Sequence, residues 1–229
     1  MEKEKKLEEM VGFDELTQKV RDFPDSPTFR LLKTSLHKVA SDEYHSVNGD
    51  TKTKELVLDE TKARDLANKL WDVAANHIAV NYLKLKEDRI KELKAEKDPA
   101  SGKSQWEAFI RDHLGIDKDS LYEAIKTRGT VKPEELDTLI RPIYEQHATA
   151  VTTKMITSKV DSIEKAQALL KYIAELKKAN PKTYEGLNVP TAIKSVEEGQ
   201  RLYASVIPLL SKDYKPKIAE TQKATGTYG

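Results

Sequence analysis

Apolar side chains recur every three or four positions along one stretch of this chain: Ala63, Leu66, Ala67, Leu70, Trp71, Ala74, Ile78, Tyr82 and Leu85. That spacing is helical rather than strand-like. Val73, His77 and Val80 widen the stripe, and a helix apolar over so much of its girth has neighbours on more than one side. Asp59 suits the N-cap and Glu60 the positive end of the helix dipole. No Gly or Pro follows until Pro99, so the pattern predicts one long central helix over about 59–97. Its far end, Lys86 to Lys97, is nearly all charged, with a favourable Glu87–Lys91 pair. That end is expected to protrude or to lie along the surface, where Leu83, Ile90 and Leu93 would meet a partner helix.

The remaining pattern is also helical. A charged helix over Glu2 to Val11 is expected to end at Gly12, followed by Phe13, Leu16, Val20 and Phe23 on one short face. Ser26-Pro27 opens a helix carrying Leu32, Leu36, Val39 and Ala40, and Asn48-Gly49 closes it. Lys54 to Leu58 is ambiguous and open to an extended reading. Trp106, Phe109 and Ile110 mark one short helix; Leu121, Ala124 and Ile125 mark the next, capped by Asp117 or Asp119. Pro133 begins a long segment with Leu136, Leu139, Ile140, Ile143, His147, Val151 and Met155 in its stripe, and Pro142 should kink it. Asp161 to Glu164 resembles a capping box ahead of Ala166, Leu169, Leu170, Ile173 and Leu176. Pro190 is expected to open the last helix, with Ile193, Val196, Tyr203, Val206, Ile207 and Leu210 on one face and Gly199 allowing a close neighbour.

These elements predict an all-α fold, an irregular bundle of about eight helices around the long one. The breaker cluster Asp98 to Ser104 divides the chain into an N-terminal half, 1–98, and a C-terminal half, 104–211. A tail, 212–229, has too few apolar residues to pack alone. Whether the halves share one core stays open.

Composition narrows the chemistry. A formal net charge of +1, with 34% charged residues of mixed sign, gives no bulk attraction for nucleic acid or an anionic membrane. With no cysteine, thiolate catalysis, disulfides and Cys-based zinc sites are excluded. No apolar stretch reaches the length of a membrane span, and the first ten residues lack the core of a signal peptide. A cytoplasmic protein without cofactor or metal is expected.

Three motifs invite a functional reading. Gly102-Lys103-Ser104 ends like a phosphate-binding loop, but Lys97 stands where the first Gly is needed and a charged helix precedes it instead of a strand. Ala108 to Arg128 places Gly115 at a turn and Ile110, Leu114, Ile116 and Leu121 at packing positions. It resembles a helix-turn-helix unit of the phage-repressor type over about twenty residues. The resemblance implies a recognition helix reading DNA through Lys118, Tyr122, Lys126 and Arg128. Arg111 departs from the small residue such a unit needs, and Asp117, Asp119 and Glu123 offset the basic charge, so nucleic-acid binding is disfavoured. The third motif is a polar pair on apolar stripes: His77 with Asn81, and His147 with Tyr144, would form a pocket for a small ligand or a metal between facing helices. No paired carboxylates and no nucleophile elbow single out a catalytic centre. The leading expectation is therefore a non-enzymatic helical interaction or scaffold protein that binds a protein partner or itself.

Overall fold

The computed structural model describes the backbone of residues 2–209 and the side chains of residues 12–209. Leu210 and the tail 212–229 lie outside them. The fold is all-α, with α1 Glu2–Asp22, α2 Pro27–Asn48, α3 Glu60–His77, α4 Glu87–Ala95, α5 Gln105–Leu114, α6 Lys118–Arg128, α7 Asp137–Lys159, α8 Ile163–Ala179 and α9 Val196–Val206. The described strands are two short ones, β1 Leu56–Val57 and β2 Thr130–Val131, paired antiparallel with Leu56 opposite Val131. The ambiguous Lys54–Leu58 stretch is thus partly extended.

Local chemistry explains most of the boundaries. Ser26 accepts from the Phe29 amide at 3.3 Å, Asp59 from Lys62 at 2.8 Å and Asp117 from Ser120 at 2.7 Å. Gly49 and Gly115 end α2 and α5 with positive φ of 62° and 79°, which glycine adopts without steric cost, Gly115 in the left-handed helical conformation. Ser162, one residue later than the capping box anticipated at Asp161, caps α8, while Asp161 pairs with Lys165 at 2.7 Å. Helix α1 runs through Gly12 without the expected interruption.

The long helix over 59–97 is not continuous. After His77 the backbone widens into a π turn over Ile78–Tyr82, with the Leu83 amide donating to the Ile78 carbonyl at 2.8 Å. Lys84 then takes φ 56°, and the Leu85 amide returns to the Ala79 carbonyl at 2.8 Å. This is a helix terminus of the kind usually built on glycine, formed here by lysine. The reversal lets α4 fold back on α5. Leu93 is buried there, Lys94 lies 4.8 Å from the Trp106 ring centroid, and the Lys94 ammonium donates to Asn76 Oδ1 at 3.3 Å. The stripe itself is as expected, since Leu66, Leu70 and Ile78 are fully buried.

The chain forms two compact units, one of Met1–Phe23 with Thr152–Gly229 and one of Pro24–Val151. The division does not fall at 98–104. That stretch is a tight turn in which Lys97 bridges Ser104 and Asp98 accepts from the Ser101 amide at 3.0 Å, holding α4 beside α5. In the 24–151 unit, α3 packs against α2 and α6 over Leu32, Leu36, Leu66, Leu70, Trp71 and Leu121. In the other unit, α8 packs on α1 and α9 around Phe13, Leu16, Leu169, Tyr172, Ile173 and Tyr203. Gly199 is needed there, because a Cβ on it would sit 2.6 Å from the Ala166 methyl of α8.

Candidate functional site

The four residues expected to line a ligand pocket gather around Thr28 and Phe29 of α2. His77 is 7% exposed, and its Nε2 lies 2.9 Å from the Thr28 carbonyl. A carbonyl only accepts, so Nε2 carries the proton, and Nδ1 accepts from the Asn81 amide at 3.2 Å. Burial holds the His77 pKa below its ordinary value, although the Thr28 bond works the other way. His147 stacks on Phe29 and donates from Nδ1 to the His113 carbonyl at 2.6 Å. Tyr144 meets Phe29 edge-on, and its hydroxyl donates to Asp137 at 3.1 Å. Each polar tip is held by the protein's own groups, and aromatic faces fill the space between them.

The helix-turn-helix corner has its expected local geometry, α5 and α6 joined at Gly115. Its would-be reading face is turned onto α3. Lys118 lies 3.2 Å from Asp72 and 3.6 Å from Glu107, and Lys126 lies 2.9 Å from Glu60. Arg64 covers the Tyr122 ring at 3.7 Å and bonds Asp119 at 2.8 Å. Only Arg128 of the four anticipated contacts is exposed without an ion pair among the described residues. Arg111 lines a water-sized crevice with Trp71, Lys103, Asp117 and Lys118. Lys103 there lies 3.6 Å from Asp119, so the one cation of the Gly102-Lys103-Ser104 turn faces a carboxylate. Of the three residues expected to meet a partner, Leu93 is buried, and Leu83 and Ile90 are half-buried.

Sequence reasoning missed a polar network in the unit built on α1, α8 and α9. The Tyr172 hydroxyl donates to Asp14 Oδ1 at 2.6 Å, and the Tyr203 hydroxyl donates to the Phe13 carbonyl at 2.9 Å. Thr17 then donates to the Tyr203 oxygen, whose own proton is already engaged. Burial pushes the Asp14 carboxyl up against the opposing Tyr172 bond, and burial raises both tyrosines as well. Asp14 Oδ2 has no hydrogen-bond partner. The network clamps α1 to α8 and α9.

The described residues form two open troughs on the surface. One, of about 530 Å³, is lined by Val39, Asp42, Glu43, Ser46, Lys69, Asp72 and Val73. Its charges answer one another, with Lys69 3.3 Å from Glu43 and Asp72 bridged by Lys118. The other, of about 560 Å³, lies along α8. Leu170, Ala174 and Ile193 give it an apolar floor, and Pro190, Thr191 and Ala192 form its far wall. That wall exists because the last helix does not begin at Pro190. Ser195 caps α9 and accepts from the Glu198 amide at 3.2 Å, leaving 187–194 as irregular chain. Lys177 holds the Leu187 carbonyl at 2.7 Å, and Glu198 holds the Lys194 amide at 2.8 Å, pinning the segment at both ends.

Among the described residues, no group of three or more His, Asp or Glu side chains is placed to hold a metal, and no helix is long and apolar enough to cross a membrane. No family model, no curated protein and no solved structure matches the chain.

Proposed function

We propose that this chain is a non-enzymatic helical protein that binds a protein partner, with the trough along α8 as its docking surface. The supporting observation is that trough: a surface hollow of about 560 Å³, floored by Leu170, Ala174 and Ile193. Grooves beside a helix, with apolar floors and few polar groups, are common seats for peptides and partner elements. The other candidate regions favour no rival reading. The histidines are hydrogen-bonded and stacked, Lys118 and Lys126 of α6 face carboxylates of α3 and α5, and the α4 arm buries Leu93. The proposal assigns the protein to the cytoplasm on its mixed-charge, cysteine-free composition.

A photo-crosslinking amino acid at Thr191, compared with one at exposed Lys132, tests this in cells that make the full chain. The expected result is one or a few defined adducts from position 191, identified by mass spectrometry and lost on Ala174→Glu. An adduct of two copies of this chain identifies self-association at the trough. Adducts that match those from position 132, or none, remove the trough as a docking surface.

A further inference from the structure

The two walls of the trough differ in kind. On α8, Gln167, Leu170, Lys171 and Ala174 project from successive turns of one face. Opposite them runs chain that is neither helix nor sheet. Among the described residues, the backbones of Thr191 and Ala192 make no hydrogen bond, and both residues are exposed. The pins at Leu187 and Lys194 keep that segment in place, so its amides and carbonyls are presented at fixed positions. Exposed, unpaired backbone amides and carbonyls can take hydrogen bonds from the backbone of another chain.

Charge gives the second constraint. No carboxylate lines this trough, and Lys171 is its one charged lining residue. Other described lysines do meet carboxylates: Lys38 pairs with Asp42, Lys91 with Glu87 and Lys165 with Asp161. Lys171 makes no ion pair among the described residues, and Lys178, two turns along the same face, makes none either.

We infer that the trough takes an extended, acidic and apolar segment of a partner protein. This rests on reading the trough as the docking surface. The segment pairs its backbone with Thr191 and Ala192. Alternate side chains of an extended peptide face the same way. One apolar side chain therefore packs over Leu170, Ala174 and Ile193, and a carboxylate two residues away reaches Lys171. Three other occupants fit less well. A helix has its backbone bonds satisfied internally and gains nothing from the 191–192 wall. A nucleic acid needs several cations where the trough lining has one. A compact small molecule leaves most of an open trough wet.

The experiment is selection of a random twelve-residue peptide library on the immobilised full chain. Binding of selected synthetic peptides is then measured in solution by fluorescence anisotropy. Expected sequences carry Asp or Glu two positions from a large apolar residue. Their affinity should fall at least tenfold on Ala174→Glu, an exposed position whose change spares the core. Lys171→Glu should weaken these peptides and favour versions with Lys in place of the carboxylate; Lys171→Ala should weaken them alone. Methylating the peptide amides one at a time should abolish binding at every second residue. Peptides that depend on Ala174 but are basic, or that tolerate every methylation, overturn this inference and leave the docking surface standing. No selected binder, or binders indifferent to Ala174→Glu, overturn it too, and the crosslinking result at Thr191 then decides whether the docking surface falls with it.

Discussion

His77 is poised by its neighbours in one protonation state. Its two ring nitrogens face an acceptor, the Thr28 carbonyl, and a donor, the Asn81 amide, which together suit only the neutral ring. Its pKa in the fold is depressed below the ordinary 6.5, chiefly by burial. The unfolded chain therefore binds more protons than the folded one in the window just below that value. The stabilisation from His77 is full above it and is lost as pH falls through the folded pKa. Replacing His77 by Gln is expected to cost about 1–3 kcal/mol at neutral pH. Urea midpoints at pH 7 and pH 5 should show that gap narrowing on acidification; a constant gap would mean that the ring binds its proton equally well folded and unfolded, and a widening gap that it is charged in the fold. Legibility at this scale followed sequence distance. The caps at Ser26, Asp59 and Asp117 act over three residues and were readable from spacing. The Tyr172–Asp14 bond joins residues 158 apart, and Thr17 meets Tyr203 across 186. No local pattern announces such pairs, because neither partner departs from what its own helix would carry.

At the scale of elements, periodicity identified the buried faces and missed where helices stop without glycine or proline. The π turn and Lys84 are the clearest case. Nothing in Leu83-Lys84-Leu85 breaks a helix intrinsically, so the reversal there comes from tertiary gain, the burial of Leu93 beside Trp106. A lysine with φ 56° carries a steric penalty that glycine lacks. Lys84→Gly is therefore expected to stabilise the protein by about 0.5–1 kcal/mol. In an uninterrupted helix the same change would destabilise by about 1 kcal/mol. The sign of the shift in denaturant midpoint thus separates the two architectures in one measurement. The opposite error occurred at Pro190. Proline at a helix start is a fair local signal, but Ser195 with Glu198 offers a better cap five residues on. What looked like the first turn of a helix is the pinned wall of the α8 trough, so the misplaced boundary concealed the candidate site.

For the whole molecule, composition pointed to a seam at Asp98–Ser104, yet contacts divide the chain at Phe23 and again at Val151. Proline, glycine and serine mark any tight turn, including one that joins two helices packed side by side, and so cannot distinguish a turn from a linker. The apolar pattern holds the better clue. Helix α3 needs partners for several faces, and α2 alone covers one; its largest described neighbour, α6, lies beyond the supposed seam. The alternatives predict different fragments. Residues 24–151 contain the full set of helices around α3, with Leu139, Ile140 and Ile143 of α7 included. That fragment is expected to fold alone and unfold cooperatively, since a contiguous chain with its own core needs nothing from outside. Fragments 1–98 and 104–211 separate α3 from α6 and α1 from α8, cutting both cores. Each should show weak helicity by circular dichroism and no cooperative transition. A cooperative 1–98 fragment beside a molten 24–151 would restore the seam at Asp98 and with it a different core. A folded 24–151 instead makes α1 an element that must reach α8 and α9 across an inserted unit. The Asp14–Tyr172 and Thr17–Tyr203 bonds are the polar contacts that would hold it there.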